Sequence, residues 1–249
     1  MKYSFKNITF AVIGLLFVGI SFAAPPNINF NLEEIVQSAS MTGTIQLMLV
    51  VFSISFVPIL LMTTTSFLRV VIVLSMIKNA VGTQQVPPAP VIVSLAMFMT
   101  IFIMSPVWQN VYDNAIEPYN KGEITYSKMW QKGQQPIREF MLKQTREREL
   151  SLFIDFSKIG EVEKPEDIPL YVIIPAFALS ELKTAFQMAF VIFVPFLVID
   201  LIVANILLSL GMFMLSPVMV SLPFKILLFV LADGWYLISS GLLSSFGTA

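Results

Sequence analysis

No Asp, Glu, Lys or Arg interrupts the chain from Ile35 to Leu68, and none lies between Lys78 and Asp113. Each gap exceeds the roughly 20 apolar residues that carry a helix across the hydrocarbon of a bilayer. In hydrocarbon every backbone N–H and C=O must be bonded inside the protein, so long apolar runs of this kind have to be helical. Composition agrees: 56% of the residues are hydrophobic and 12% charged, against about 45–50% apolar and about 25% charged in ordinary soluble domains. The expected fold class is all-α, built from broken-helix hairpins of an integral membrane type.

Two residue types are missing, and their absence narrows the chemistry. The chain has no cysteine and no histidine, which removes disulfides, thiolate nucleophiles and most zinc, haem and Ser/His constellations. No Gly-x-Ser-x-Gly elbow or phosphate loop is present. The expectation is therefore no catalytic residue, no metal and no cofactor. A formal charge of -1 supplies no basic field for nucleic acid, and the aromatic residues lie in apolar runs rather than between basic ones.

The charges divide the chain. Residues 1–23 read as a signal peptide: Lys2 and Lys6 form the positive end, Ile8 to Phe22 the apolar region, and Ser21-Phe22-Ala23 a small-x-small cleavage site. An uncleaved anchor helix is the other reading of the same residues. Residues 24–44 form an N-terminal extracytoplasmic segment, and 45–107 a first helical hairpin. Its outward helix is interrupted by Pro58 and by the hydroxyl run Thr63 to Ser66, and its return helix runs from Val91 to Val107. Arg69 and Lys78 lie toward the connecting end, which contains no acid and is placed in the cytoplasm by the positive-inside tendency. Both are expected to snorkel there.

Residues 108–169 then carry 9 Lys or Arg and 11 Asp or Glu, and are expected to be an extracytoplasmic charged helical region. Within it Pro136 suits a first helical position. The stretch "IREFMLKQTRERELSLFIDF" places Ile137, Phe140, Met141, Leu150, Phe153 and Ile154 at the spacing of an amphipathic helix. Residues 170–249 form a second hairpin, whose two apolar stretches meet at "GMFMLSP", residues 211 to 217.

Several features strain a plain reading of four lipid-facing spans. A charge at the bilayer centre costs on the order of 2.5–3.5 kcal/mol, so Asp200, Lys225 and Asp233 must pair, snorkel or line a wet cavity. Glu181 and Lys183 belong to the same group of charges, expected at the outer edge of the third segment, solvated or pairing between subunits. Prolines at 58, 106, 175, 195, 217 and 223 remove backbone donors that lipid cannot replace. For Asp200 and Lys225 a structural ion pair and a place in a conducting path are both open. Met212, Phe213 and Met214 form an apolar tip where loops are usually polar. In one copy they are an exposed patch; repeated around an axis they form a deformable collar able to close a pore by dewetting.

Two strings carry a family resemblance: "TSFLRVVIVLSMIKNAVGTQQVPPAPVIVSLAMFMTIFIMSPV", residues 65 to 107, and "FALSELKTAFQMAFVIFVPFLVIDLIVANILLSLGMFMLSPVMVSLPFKILLFVLADGW", residues 177 to 235. Both resemble the FliP family of the type III protein export gate, and "GTQQ" at 82 to 85 with the signal peptide is more similar to the flagellar branch than to the virulence injectisome branch. The resemblance implies a closed helical cone around an export channel in the bacterial inner membrane at the flagellar basal body, much of it on the periplasmic side. Five copies of this chain would join FliQ and FliR, with FlhB and FlhA nearby, membrane lipid around them, and unfolded export substrates inside.

The family's methionine gasket maps onto Met212, Phe213 and Met214, with Phe213 replacing a methionine. Its channel-lining, gate-closing basic positions map onto Arg146 and Lys225. The reading that follows is a noncatalytic channel subunit. Two others stand beside it: an ion-coupled secondary transporter using Asp200 with Glu181, and a scaffold that forms no pore.

Overall fold

The computed structural model describes residues 58–83, 86–157 and 167–247, together with Met48, Phe52, Ser55 and Phe56. The signal peptide and the 24–44 segment lie outside the described residues. Among the described residues the elements are helical: α1 Pro58–Thr64, α2 Phe67–Val81, α3 Ala89–Asn120, α4 Tyr126–Gln144, α5 Glu147–Ser157, α6 Leu170–Ser209, α7 Pro217–Leu231 and α8 Gly234–Ser245. The fold is all-α. Helices α3 and α6 are long and apolar enough to cross a membrane, and α1–α2 and α7–α8 qualify as bent pairs.

The breaks have local causes. Between α1 and α2 the axis turns by 83° at Thr65 and Ser66, where the hydroxyl run ends. Thr63, Thr64 and Thr65 donate their hydroxyls back to the carbonyls of Ile59, Leu60 and Leu61 at 2.9, 2.7 and 2.6 Å. The hydroxyls thus share carbonyls one turn back with the helix's own N–H groups, and such back-bonding bends helices. The α7–α8 bend of 61° is set by Asp233, a non-glycine residue at φ 49, and by Gly234, where a Cβ would stand 2.3 Å from the Phe229 ring.

Prolines break less than their number leads one to expect. Pro175 and Pro195 lie within an unbroken 40-residue α6. Pro106 is inside α3, which passes the composition change at 108, makes a π turn at Tyr112–Ile116 and ends at Asn120. Pro136, expected at a first helical position, is instead interior to α4. The amphipathic stretch is two helices, because the chain is extended at Thr145, ψ 132.

Two apolar clusters hold these helices together. In the first, Val70, Val73, Leu74, Ile77, Ala80 and Val81 form a stripe of helical period on α2. They pack with Ile92, Ala96, Met99 and Ile103 of α3, with Ala185 and Phe196 of α6, and with Ile238, Leu242 and Phe246 at the α8 end. In the second, Met141 packs with Ile168, Val172, Ile173 and Phe177; Ile137, Phe140, Leu150, Phe153 and Ile154 close over it. The stripe read from the sequence therefore packs on the start of α6 in the same chain. Phe140 joins the clusters, with ring centroids 5.9 Å from Phe177 and 6.2 Å from Phe246.

Phe177 is fully buried, whereas Phe213 is exposed. Phe177→Ala is expected to cost about 3–5 kcal/mol, the range for emptying a buried aromatic site. Phe213→Ala should change the stability of the single chain by less than about 0.5 kcal/mol. Denaturation of the full chain in mild detergent checks both.

Candidate functional site

Helix α6 is apolar along most of its length, yet Ser180, Glu181, Lys183, Thr184 and Gln187 put a polar stripe on it. Residues spaced by three and four share a helix face, and this face is covered by the α4–α5 joint. The Arg146 backbone N–H donates to Ser180 Oγ at 2.9 Å, and its guanidinium donates to Thr184 Oγ1 at 3.0 Å and to Gln187 Oε1. One turn further on, Lys183 Nζ donates to Glu149 Oε1 at 2.7 Å. Arg146 thus pins the joint to α6 and remains half-buried.

Beneath the joint lies a buried charge hub. Arg69 Nε donates to Glu181 Oε2 at 2.8 Å, and its other nitrogens bond Glu181 Oε1, Gln144 Oε1 at 3.1 Å, and Ser245 O and Oγ at 3.2 and 3.0 Å. The guanidinium also stacks 3.9 Å from the Phe246 ring centroid, a cation–π contact. One side chain therefore ties α2, α4, α6 and the end of α8 together. Glu181 is fully buried and Arg69 nearly so, which corrects the solvated edge expected for the first and the snorkelling expected for the second. Sequence reasoning missed this pair because the partners are far apart in the chain; the available signal was an isolated charge in each of two apolar runs.

A third pair closes the other end of α6. Lys225 Nζ donates to Asp200 Oδ2 at 2.6 Å, and the Ser221 hydroxyl donates to Oδ1. Both carboxylate oxygens are occupied, and Lys225 is buried within its own chain. Asp233, grouped with these charges in the sequence, is exposed at the α7–α8 bend and is not brought to them.

The 211–217 turn carries one polar residue, Ser216, and its tip is wholly apolar. Gly211, at φ 73, bonds its N–H to Leu208 O at 3.1 Å, and Met212 N–H reaches Leu207 O at 2.9 Å. These are the two bonds of a Schellman end, which needs a left-handed residue that glycine supplies. Pro217 then opens α7 at its first position, where the missing N–H costs nothing. The helix end is thus closed while the side chains of the tip point outward: Phe213 is 77% exposed, Met214 is fully exposed, and Met212 and Leu215 are exposed beside them.

A family model described as FliP family matches residues 49–242, a span that includes Arg69, Gln144 and Glu181 of the hub, the Asp200–Lys225 pair and the turn. The chain belongs to the FliP family. The flagellar biosynthetic protein FliP of Bacillus subtilis (strain 168) is 49% identical over 210 residues, 84% of this chain and 94% of that one. The protein of the same name from Pectobacterium carotovorum subsp. carotovorum is 48% identical over 207 residues, 83% and 80% of the two chains. That of Aquifex aeolicus (strain VF5) is 42% identical over 234 residues, 93% and 96%. Together with its apolar helices, FliP membership makes this a membrane protein.

Two measurements follow for this FliP-family chain. Breaking a buried ion pair from one side strands the other charge, so Arg69→Met or Glu181→Leu alone should each cost about 3–5 kcal/mol, and the double variant should recover part of the loss. Denaturation in mild detergent reads the cycle. The hydrogen bond from Lys183 holds the Glu149 carboxyl below the usual carboxylate range. Its contribution to stability is complete above the unfolded value of about 4.3 and lost as pH falls through the lower native one. Lys183→Met should flatten that acid limb of the melting-temperature profile.

Proposed function

We propose that this chain is a noncatalytic pore subunit of the flagellar type III protein export gate in the bacterial inner membrane, at the flagellar basal body. Several copies, five by resemblance, assemble with FliQ and FliR into a helical cone standing largely on the periplasmic side, near FlhB and FlhA. Unfolded flagellar subunits pass along its axis. At rest, Met212, Phe213 and Met214 from each copy meet as a gasket; of the two basic positions that the resemblance makes channel-lining, Arg146 lies far along α6 from the tip and keeps part of its surface open, whereas Lys225 is taken up by its pair with Asp200.

One observation carries the reading: an apolar tip open to its surroundings, on a turn anchored to the end of α6 by its own backbone bonds. A tip of this kind has no use in a single copy, since exposed contiguous apolar surface marks an interaction site. Repeated around an axis, flexible thioethers and a phenyl ring pack into an irregular plug that water does not wet. The flanking helices support the same conclusion, because α6 and α7 leave Leu201, Ile202, Phe224 and Leu227 exposed on long apolar faces.

The test is electrical. Met212→Ala with Met214→Ala, in complexes assembled with FliQ and FliR and reconstituted in planar bilayers, should raise resting ion conductance while leaving assembly intact. Unchanged leakage would overturn the gasket assignment.

A further inference from the structure

The apolar segments 58–111 and 170–247 contain seven charged residues: Arg69, Lys78, Glu181, Lys183, Asp200, Lys225 and Asp233. Within the chain Arg69 pairs with Glu181, Lys183 with Glu149, and Lys225 with Asp200. That leaves Lys78 and Asp233, one cation and one anion, with no ion pair among the described residues. Asp233 is the harder to accommodate. It is an exposed carboxylate held in the left-handed region, with Val230, Leu231, Tyr236 and Leu237 exposed around it, and a charge in such apolar surroundings calls for a partner.

The two charges without an ion pair lie within about one helical turn of each other along α6. Helix α7 runs antiparallel to α6: Lys225 meets Asp200, and Phe229 meets Phe196 with ring centroids 6.4 Å apart. Four residues on from Phe229, just past the end of α7, Asp233 comes to about the level of Ile192. Helix α2 runs parallel to α6: Arg69 meets Glu181, and Gly82 at the other end lies against Leu222 of α7, near Asp200. Lys78 lies between these two points, within about one helical turn of the level of Ile192. Copies related by rotation about an axis along α6 share the same levels, and a head-to-tail ring joins two different faces of the chain.

We propose that Asp233 of one copy docks on the α2 face of the next copy formed by Ser75, Lys78 and Asn79. These three are spaced i, i+3 and i+4, so they share one helix face, and Ser75 and Asn79 are exposed there. The face offers an ammonium flanked by a hydroxyl and an amide, all able to donate to a carboxylate. The left-handed bend at Asp233 presents that carboxylate at the corner between α7 and α8. This rests on the ring of copies proposed above, and it names the residues that join one copy to the next.

Because the chain has no cysteine of its own, the contact can be probed directly. Full-length chains carrying Lys78→Cys and Asp233→Cys together, co-expressed with FliQ and FliR and treated with a short bismaleimide, should give a ladder of cross-linked multimers; each single variant should give none. Multimers from either single variant, or no ladder in complexes that native mass spectrometry shows to hold several copies, would overturn the contact and leave the ring standing. A single copy per complex would overturn the ring reading and this contact with it. As a second readout, Asp233→Lys should lower the yield of assembled ring by about tenfold or more, and Lys78→Asp in the same chain should restore it; failure of the double reversal to restore assembly would also overturn the contact.

Discussion

A guanidinium withdrawn from water must have its N–H groups bonded and its charge balanced, and Arg69 meets both demands with groups from three other helices. Glu181 supplies the charge from α6, Gln144 an acceptor from the end of α4, and Ser245 a carbonyl and a hydroxyl from the end of α8. None of these can move far without stranding a buried polar group. The α4–α5 joint, the start of α6 and the C-terminal helix therefore sit in fixed relation to the break that begins α2. Apolar packing alone is less directional, since helix faces of Val, Leu and Ile tolerate sliding.

Fixing that end makes α6 a rigid arm. Its first half is covered by α2, α4 and α5, whose contacts satisfy the polar stripe from Ser180 to Gln187. Its second half is held to α7 by the Asp200–Lys225 pair with Ser221, and by Phe196 against Phe229. The arm ends in the Schellman turn at Gly211, so the Met-Phe-Met tip is placed by a long helix anchored well away from it. The gasket proposed for this tip would draw on both properties, a stiff support and compliant side chains at the contact.

Large apolar faces remain open after the chain has folded, especially on the outer sides of α6, α7 and α8. Lipid could cover them, but the ion pairs and the exposed Asp233 within the same segments fit protein neighbours better than hydrocarbon. The fold of one chain and the assembly of several are in this sense a single problem. Within the apolar segments, Arg69, Glu181, Lys183, Asp200 and Lys225 are ion-paired, and Lys78 and Asp233 have no ion pair among the described residues.

How much was legible in advance depended on the range of each interaction. Helices, their apolar character and the amphipathic stripe from Ile137 to Ile154 follow from periodicity and the absence of charge. The 211–217 turn could be read from Gly211 and Pro217, because both act through their own torsions. The prolines were over-read: Pro175 and Pro195 each remove one donor, and a 40-residue helix bears the loss. The break at Thr63–Ser66 was read from its hydroxyl run, whereas those at Thr145, an extended residue, and Asp233, a left-handed one, have weaker local cues. The Asp200–Lys225 pair was one of two readings the sequence left open, and the structure forms it, whereas the pairing of Arg69 with Glu181 was not legible. By itself the sequence determined the solvent this chain belongs in and the secondary structure that solvent permits, because those depend on each residue and its near neighbours. Only the tertiary structure decided which charges are neutralised and which are left over, because that depends on helix faces brought together from distant parts of the chain.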